Sequence, residues 1–451
     1  MEEQTILEAV KELLDAKQYT NLRQYLTELN DADIAACMDE LTDEDELKVF
    51  RILPKDLAAD VFSYLEVDNQ QMIITALTDK ETANIINNLM ADDAADLLEE
   101  MPANVVKKLL KNASAEVRND INHLLKYPEH SAGSLMTVEY MDLKENLTVS
   151  QAIERIRKVG VDSETIDNCY VLDNRRRLIG TVSLRHLLLS EAENLIGDIM
   201  NENVIAIGTM IDQEEVANQF KKYDFTTMPV VDNENRLVGI ITVDDIVDIL
   251  EEEATEDMEM MAAIVPTDKP YMRTSVWENF LKRIPWLLLL MVSSAFTCAI
   301  ITSFEDALSV NAALIAFIPM LMGTGGNAGG QASVTVIRGL SMGEIEYRDV
   351  PTIMWKEIRV AILCGICLAA ANFLKLLVFD RTTLMVAFVV SLTLIMVVLM
   401  AMLIGCILPV LAKRIGFDPA VMASPFITTI VDALSLMIYF RIAVILLGIQ
   451  V

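Results

Sequence analysis

The sequence predicts a multidomain membrane protein made of an all-α N-terminal solenoid, a tandem pair of α/β domains and an all-α bundle of five transmembrane helices. Three observations support this prediction. The net charge is −30, and residues 271–451 hold 12 basic and 10 acidic residues, which leaves 24 basic and 56 acidic residues in 1–270. Within the acidic half, one segment repeats another at an offset of 59 residues. The second half contains long apolar runs, and a spanning helix needs about 20 apolar residues.

Residues 1–130 have the pattern of short helices. The segments that begin at Leu53 and at Met90 both place apolar residues at helical spacing behind a Pro or Asp start. Helical hairpins repeated in this way stack into a solenoid. Asp92 and Asp96 are four residues apart and therefore share one helix face, where like charges repel weakly. An ordinary solvated face explains this pair at least as well as a binding site does.

Residues 131–197 and 198–250 form the tandem repeat. Leu172–Gly180 aligns with Val231–Gly239, and each segment predicts a strand, an Asp-Asn turn and a second strand, followed by a helix. The resulting β-α-β-β-α repeat resembles a pair of CBS domains. That resemblance implies a small ligand between the repeats, for which an adenine nucleotide is the candidate.

Residues 251–270 form an acidic connector to the apolar half. From Asp244 to Glu259 there are nine acidic residues and no Lys or Arg, and several of them are four apart. Like charges at this spacing destabilise a helix, so the run is either simply solvated or held together by divalent cations, which bind carboxylate oxygens. A connector whose position depends on bound cations would act as a gate. Pro266 and Pro270 end it.

The second half, residues 271–451, predicts five spans. Basic residues precede the first span, separate the second from the third and separate the fourth from the fifth, which predicts cytoplasmic N-terminal domains and a C-terminus outside. The acidic N-terminus has no signal-peptide pattern. The predicted spans are Ile284–Ser303, Val310–Ile337, Ile358–Phe379, Thr383–Leu411 and Ala423–Ile449.

Asp432 lies near the middle of the fifth predicted span. A carboxylate at that depth costs about 2.5–3.5 kcal/mol on insertion scales, so it must face water, a cation or a partner group. Two interpretations follow, a hydrogen bond to a neighbouring helix and a cation site in a pore. The second span adds Gly325, Gly326, Asn327 and Gln331, which favour either close helix packing or a water-filled path.

Three motifs together resemble the MgtE-type magnesium channels. They are the segment Tyr127–Thr137 before the repeat, Gly323–Asn327 in the second span, and Asp418–Ala420 together with Asp432. The order of helical domain, CBS pair, acidic connector and five spans matches the same family, and the resemblance covers nearly the whole chain.

The resemblance implies a homodimer in the cell membrane, with a pore on the two-fold axis formed mainly by the second and fifth spans. Asp432 would bind hydrated Mg²⁺, and Gly325, Gly326, Asn327, Gln331 and Thr428 would line the pore. The connector would be the plug helix of the family. The residues carried over as regulatory magnesium sites are Asp92, Asp96, Asp224, Asp245, Asp248, Glu253, Glu256, Asp257 and Asp418.

The implied function is a Mg²⁺-selective channel that imports magnesium and closes when cytosolic Mg²⁺ binds these acidic sites. No triad, P-loop or metalloprotease motif is present in the sequence, so an enzyme is not expected. The acidic soluble half disfavours nucleic acid as a partner. Two alternatives stay open: transport of another divalent cation such as Mn²⁺ or Co²⁺, which one carboxylate does not distinguish from Mg²⁺, and a non-transporting membrane sensor with CBS domains.

Overall fold

A computed structural model describes residues 2–267, 271, 274–304, 312–422 and 424–448. The chain divides into two compact units, Met1–Leu250 and Glu251–Val451. The predicted connector end at Pro270 and the predicted span ends at Val310, Ala423 and Ile449 lie outside the described residues.

The first unit begins with ten short helices. Four of their starts are set by local chemistry: the Thr78 side chain and Glu81 form a capping box, the Ser114 hydroxyl accepts from the Val117 N–H, and Pro54 and Pro102 precede two others. The helices are α1 Glu2–Asp15, α2 Tyr19–Leu26, α3 Asp31–Asp39, α4 Asp43–Ile52, α5 Lys55–Ser63, α6 Val67–Ala76, α7 Asp79–Ile86, α8 Ala91–Glu100, α9 Ala103–Asn112 and α10 Ala115–Leu124.

These helices stack in alternation. Helix α3 contacts α1 and α5, α7 contacts α5 and α9, and α8 contacts α10. One continuous apolar core, which includes Leu22, Ile34, Phe62 and Leu109, runs through the stack. Contacts between every second helix are those of a solenoid, so the predicted all-α solenoid is confirmed.

The tandem repeat forms two three-stranded sheets of the same topology. In each sheet the first strand pairs in parallel with the second, and the second pairs antiparallel with the third. The elements of the first repeat are β1 Tyr140–Lys144, α11 Val149–Val159, β2 Thr165–Leu172, β3 Leu178–Ser183 and α12 Leu184–Leu189; α13 Ile196–Ile199, β4 Ile207–Gly208, α14 Gln213–Tyr223, β5 Thr227–Val231 and β6 Leu237–Thr242 follow.

The two repeats are interlocked through a methionine and a glycine on each side. Met136 of the first repeat, before β1, packs on Gly239 of the second, and Met200 of the second packs on Gly180 of the first. A Cβ at Gly239 would lie 2.7 Å from Met136 Cγ, closer than packed carbon atoms come. The glycine that ends each aligned segment is therefore required by close packing between the repeats.

Helix α15, Val243–Met261, follows β6 directly and carries the acidic run. It ends where Ala263 takes a left-handed conformation, with φ of 56°. The helical part of the predicted connector therefore stops at Met261. The following chain runs back along the next helix, where the Val265 N–H donates to the Lys282 carbonyl.

The second unit contains five long helices within the described residues: α16 Val276–Ser303, α17 Ile318–Ser341, α18 Val350–Val378, α19 Leu384–Arg414 and α20 Ser424–Leu447. Four segments are long and apolar enough to cross a membrane, namely Val276–Ser303, Tyr347–Val378, Leu384–Arg414 and Pro425–Leu447. Helix α17, the second of the five predicted spans, is not among these four.

Glycines of α17 allow unusually close helix packing. A Cβ at Gly325 would lie 2.7 Å from Val397 of α19 and 3.0 Å from Val431 of α20. A Cβ at Gly326 would lie 2.8 Å from the Thr428 methyl group. Helix α17 is therefore fixed against both α19 and α20, and no larger residue fits at these positions without a shift of the helices.

Candidate cation sites

Helix α20 places Asp432 within the helical bundle. The Asp432 side chain is half-buried, and its Oδ1 atom is buried with no hydrogen-bond partner among the described residues. Ser435, one turn later, is fully buried, and its hydroxyl also lacks a partner there. An unpartnered buried carboxylate oxygen is costly, so a ligand for Asp432 has a clear energetic role.

The predicted pore-lining residues fall into two groups. Gly325 and Gly326 are buried against α19 and α20, and Thr428 packs its methyl group on Gly326. Asn327 and Gln331 are exposed on a neighbouring face of α17. The glycines therefore bring the helices together, and the two amides leave a polar stripe uncovered on a helix that packs among apolar ones.

The end of α15 packs on α17 within the second unit. Met260 and Met261 contact Ile337 and Ala420. The Ser341 hydroxyl, at the last residue of α17, donates to Asp257 Oδ2 at 3.3 Å. These contacts connect the acidic helix to the end of the glycine-rich helix.

Two acidic residues from different segments meet at this place. Burial raises the pKa of Asp257, and the charge of Asp418 raises it further, as does that of Glu253. Asp418 also accepts a hydrogen bond from the Ala420 N–H at 2.7 Å. The structure thus brings Asp257, Asp418 and Glu253 into one electrostatic group, while Glu256 lies on the same helix and is half-buried.

A second acidic group lies in the first unit, where the solenoid meets the repeats. We refer to it as the acidic cluster; its members come from α5, α8, the segment before β1, the segment before β2 and the start of α15. They are Asp60, Asp92, Asp93, Glu139, Glu164, Asp244 and Asp245.

Mutual repulsion and burial disfavour the charged forms in the acidic cluster. Burial raises the pKa of Asp93 to about 6, and the charges of Asp245 and Asp244 contribute. Burial raises the pKa of Asp245 to about 6 and that of Glu164 to about 7. For Asp92 the direction is the same and the change is larger, again with burial as the first cause. Its Oδ1 atom is buried and unpartnered within the described part of the chain.

The other predicted regulatory residues lie elsewhere or at the edge of these groups. Asp96 and Asp248 are exposed, although the charge of Asp248 adds to the rise in the pKa of Asp245. Asp224 is exposed at the left-handed C-cap of α14, with φ of 52°. Sequence reasoning missed Asp93, whose only signal is its place beside Asp92.

No group of three His, Cys, Asp or Glu side chains in the described ranges is arranged closely enough to hold a metal ion by itself. The donors at both acidic groups are nevertheless all carboxylate and hydroxyl oxygens, which are the ligands that Mg²⁺ and Ca²⁺ accept. Mg²⁺ keeps several of its waters, so carboxylates at some distance still fit the hydrated ion.

Family profiles match most of the chain. Residues 29–130 match the MgtE intracellular N domain, 132–193 and 196–252 match the CBS domain, and 318–442 match a divalent cation transporter profile named MgtE. These matches follow the order of the elements described above.

Curated relatives match nearly end to end. The magnesium transporter MgtE of Thermus thermophilus is 36% identical over 449 residues, which covers 99% of each chain. The magnesium transporter MgtE of Bacillus subtilis is 33% identical over 444 residues, which covers 98% of this chain and 97% of the relative.

Two solved structures match slightly more than half of the chain. The cytosolic domain of the Mg²⁺ channel MgtE in complex with ATP is 37% identical with a TM-score of 0.52, covering 54% of this chain and 99% of that one. The soluble part of a magnesium transporter is 31% identical with a TM-score of 0.54, covering 56% and 99%. The chain therefore belongs to the MgtE family of magnesium transporters, which are multi-pass membrane proteins and not enzymes.

Proposed function

We propose that this protein is a Mg²⁺-selective channel that imports magnesium into the cytoplasm. The observation that carries the proposal is Asp432, a carboxylate with an unpartnered buried oxygen in a spanning helix of a magnesium-transporter family. Hydrated Mg²⁺ supplies the positive charge and the hydrogen-bond donors that this oxygen lacks.

The pore forms on the two-fold axis of a homodimer. Asn327 and Gln331 support this arrangement, because exposed amides on a packed helix need water or a partner in the membrane. Two copies of Asp432 facing one axis would provide a divalent ion with two carboxylates. Gly325, Gly326 and Thr428 hold α17 and α20 close enough for both helices to border the axis.

A second copy also suits the soluble repeats. Leu188 and Leu189 of α12 are 65% and 76% exposed, and Val247 of α15 is 58% exposed. Exposed apolar residues on a helix of each repeat are typical of a protein interface. We infer that these helices pair across the dimer, with the soluble domains in the cytoplasm and the C-terminus outside.

Helix α15 acts as the plug helix, and the acidic residues control it. In the absence of cations, repulsion within the acidic cluster and within the group of Asp257, Glu253 and Asp418 disfavours the packed arrangement. A bound Mg²⁺ supplies positive charge that offsets this repulsion. High cytosolic Mg²⁺ thus holds α15 against the end of α17 and closes the pore, which is negative feedback on uptake. We propose further regulatory ligands in addition to Asp257, Glu253 and Asp418. They are Asp92, Asp96, Asp224, Asp245, Asp248 and Glu256.

An adenine nucleotide is the proposed ligand of the CBS pair. The support is the solved cytosolic domain of a relative at 37% identity, which is a complex with ATP. Calorimetric titration of the purified protein with ATP, and with inorganic triphosphate as the control, tests this. If inorganic triphosphate gives the same binding heat as ATP, the adenine ring is not recognised.

Selectivity is tested by ion flux into proteoliposomes that contain the purified protein. We expect uptake of Mg²⁺ that excess Na⁺ does not abolish, and weaker uptake of Mn²⁺ and Co²⁺. Uptake of Mn²⁺ or Co²⁺ but not of Mg²⁺ would favour a transporter of another divalent cation. The matching family profile is described as a divalent cation transporter, which covers this alternative too. No uptake of any cation would favour the sensor.

A further inference from the structure

One side of α18 is exposed among the described helices of the second unit and carries a line of apolar residues. The stripe Leu363, Ile366, Leu374 and Val378 is 71%, 54%, 63% and 56% exposed. Its opposite side, which includes Ala361, is buried against α19. An exposed apolar stripe on a spanning helix is the side that lipid covers.

A charged and aromatic group begins this stripe. Trp355 is 61% exposed, and Arg359 lies one helical turn further along on the same side. The Arg359 guanidinium lies 5.8 Å from the centre of the Trp355 ring, and its Nε donates to the Trp355 carbonyl at 3.3 Å. Lys356 is exposed beside them.

The position of Arg359 along α18 fits the border of a bilayer. From Arg359 to Val378 there are 19 helical steps, which at about 1.5 Å each span roughly 28 Å, and a hydrocarbon core is about 30 Å thick. Arg359 and Val378 therefore lie near opposite headgroup layers. Trp is enriched in such layers, where its ring is apolar and its N–H is polar.

Arg359 and Lys356 differ from Lys375 and Arg348 in forming no ion pair with an acidic side chain among the described residues. Lys375 pairs with Asp380 at 2.7 Å, and Arg348 pairs with Glu346 at 3.0 Å. Within the described ranges, neither Arg359 nor Lys356 forms an ion pair. The Arg359 guanidinium thus keeps N–H donors that two oxygens of one phosphate group can accept in parallel.

We propose that Trp355, Lys356 and Arg359 form a binding site for the phosphate of an anionic phospholipid whose acyl chains lie along the Leu363–Val378 stripe. Arg359 donates to the phosphate oxygens, Lys356 adds a second positive charge, and the Trp355 ring covers the glycerol region. Basic groups at the membrane surface beside a spanning helix recognise anionic headgroups in this way.

The test is native mass spectrometry of the full-length protein after titration with phosphatidylglycerol or with phosphatidylcholine. We expect wild type to retain phosphatidylglycerol in preference, and Arg359→Gln to reduce its affinity about fivefold, which is the effect of one basic residue near an anionic surface. Arg359→Lys should lose less of the affinity for phosphatidylglycerol, because it keeps the positive charge. Lys375→Gln is the matched control, because it removes a cation that Asp380 already neutralises.

Three results would overturn the proposal. Equal retention of both lipids by wild type would remove the headgroup preference. If soluble glycerol phosphate, at the same concentration as the lipid, displaces phosphatidylglycerol as well as the lipid itself does, Lys356 and Arg359 form a site for free phosphate. A change in the dimer fraction of Arg359→Gln, with phosphatidylglycerol retention as in wild type, would place a second copy of the chain on this face. Mg²⁺ flux is not a readout here, so the test stands apart from the proposed channel function.

Discussion

The two units of the chain hold acidic side chains in contrasting surroundings. In the first unit, the acidic cluster gathers carboxyl groups from the solenoid and from both repeats, and each disfavours the charge of the others. In the second unit, Asp432 lies half-buried within a long apolar helix. In the proposed channel, the mutually repelling acids would respond to a change in cation concentration, whereas the single buried acid in a span would attract a passing cation at all times.

Removal of Asp432 should have the largest effect. We expect Asp432→Asn to reduce Mg²⁺ flux into proteoliposomes at least about 100-fold, since losing a charge–ion interaction in a low-dielectric site removes about 3 kcal/mol or more. The dimer should still assemble on size exclusion. Asp380→Asn is the control, because Asp380 is paired with Lys375 outside the helix. Wild-type flux in Asp432→Asn would end the pore assignment.

Neutralising the acidic cluster should flatten the response to Mg²⁺ and leave conduction intact. The combined change of Asp93→Asn, Glu164→Gln and Asp245→Asn removes both the repulsion and the ligands. We therefore expect the ratio of flux at low to flux at high cytosolic Mg²⁺ to fall about tenfold. Asp198→Asn and Glu193→Gln, exposed acids outside the cluster, serve as the control. An unchanged ratio would remove the cluster from the feedback account.

Stability of the soluble unit should depend on pH through Glu164. Its pKa is about 7 in the fold against 4.5 normally, so the folded state binds its proton more tightly than the unfolded chain does. The contribution of Glu164 to the free energy of unfolding is therefore fully present below pH 4.5 and is lost as pH rises through 7. Glu164→Gln should raise the Tm at pH 8 by several degrees, equivalent to about 1–2 kcal/mol after allowance for solvent screening.

The control for this pH effect is Glu193→Gln. Its side chain is exposed, so the Tm of that variant should follow wild type at every pH. A Tm gain in Glu164→Gln of the same size at pH 5 and pH 8 would show that packing, not charge, explains the change.

The Ser341–Asp257 hydrogen bond should give the smallest effect. An exposed or half-buried hydrogen bond to a carboxylate is worth about 1 kcal/mol. Ser341→Ala should accordingly raise the Mg²⁺ concentration for half-maximal inhibition two- to fivefold, measured as flux against Mg²⁺ on the side of the soluble domains. Ser303→Ala, at the end of α16, is the matched control. Stronger inhibition in Ser341→Ala would contradict the proposed contact between plug helix and pore.

Patterns that depend on one element were readable from the sequence. The aligned segments that end at Gly180 and Gly239 predicted two equal sheets, because alternation and turn residues are local properties. The place of Asp432 inside a long apolar helix followed from the length of its apolar run. The helices of the solenoid followed from their caps and apolar spacing.

Features that depend on distant segments were not readable. Glu164 gave no signal, because it joins the acidic cluster only when β2 and α15 are packed together. Ser341 likewise meets Asp257 across 84 residues. The crossed packing of Met136 on Gly239 and of Met200 on Gly180 depends on how the repeats pair. Asp92 and Asp96 share a helix face, yet Asp92 has a buried carboxylate oxygen whereas Asp96 is exposed.

The most direct test compares Mg²⁺ flux in proteoliposomes at low and high Mg²⁺ on the side of the soluble domains, for wild type, Asp432→Asn and the triple cluster variant. We expect flux that high Mg²⁺ suppresses in wild type and no flux at either concentration in Asp432→Asn. In the cluster variant we expect flux that high Mg²⁺ suppresses only slightly. Suppressible flux in Asp432→Asn, or full suppression in the cluster variant, would contradict the division between a conducting acid and a sensing cluster.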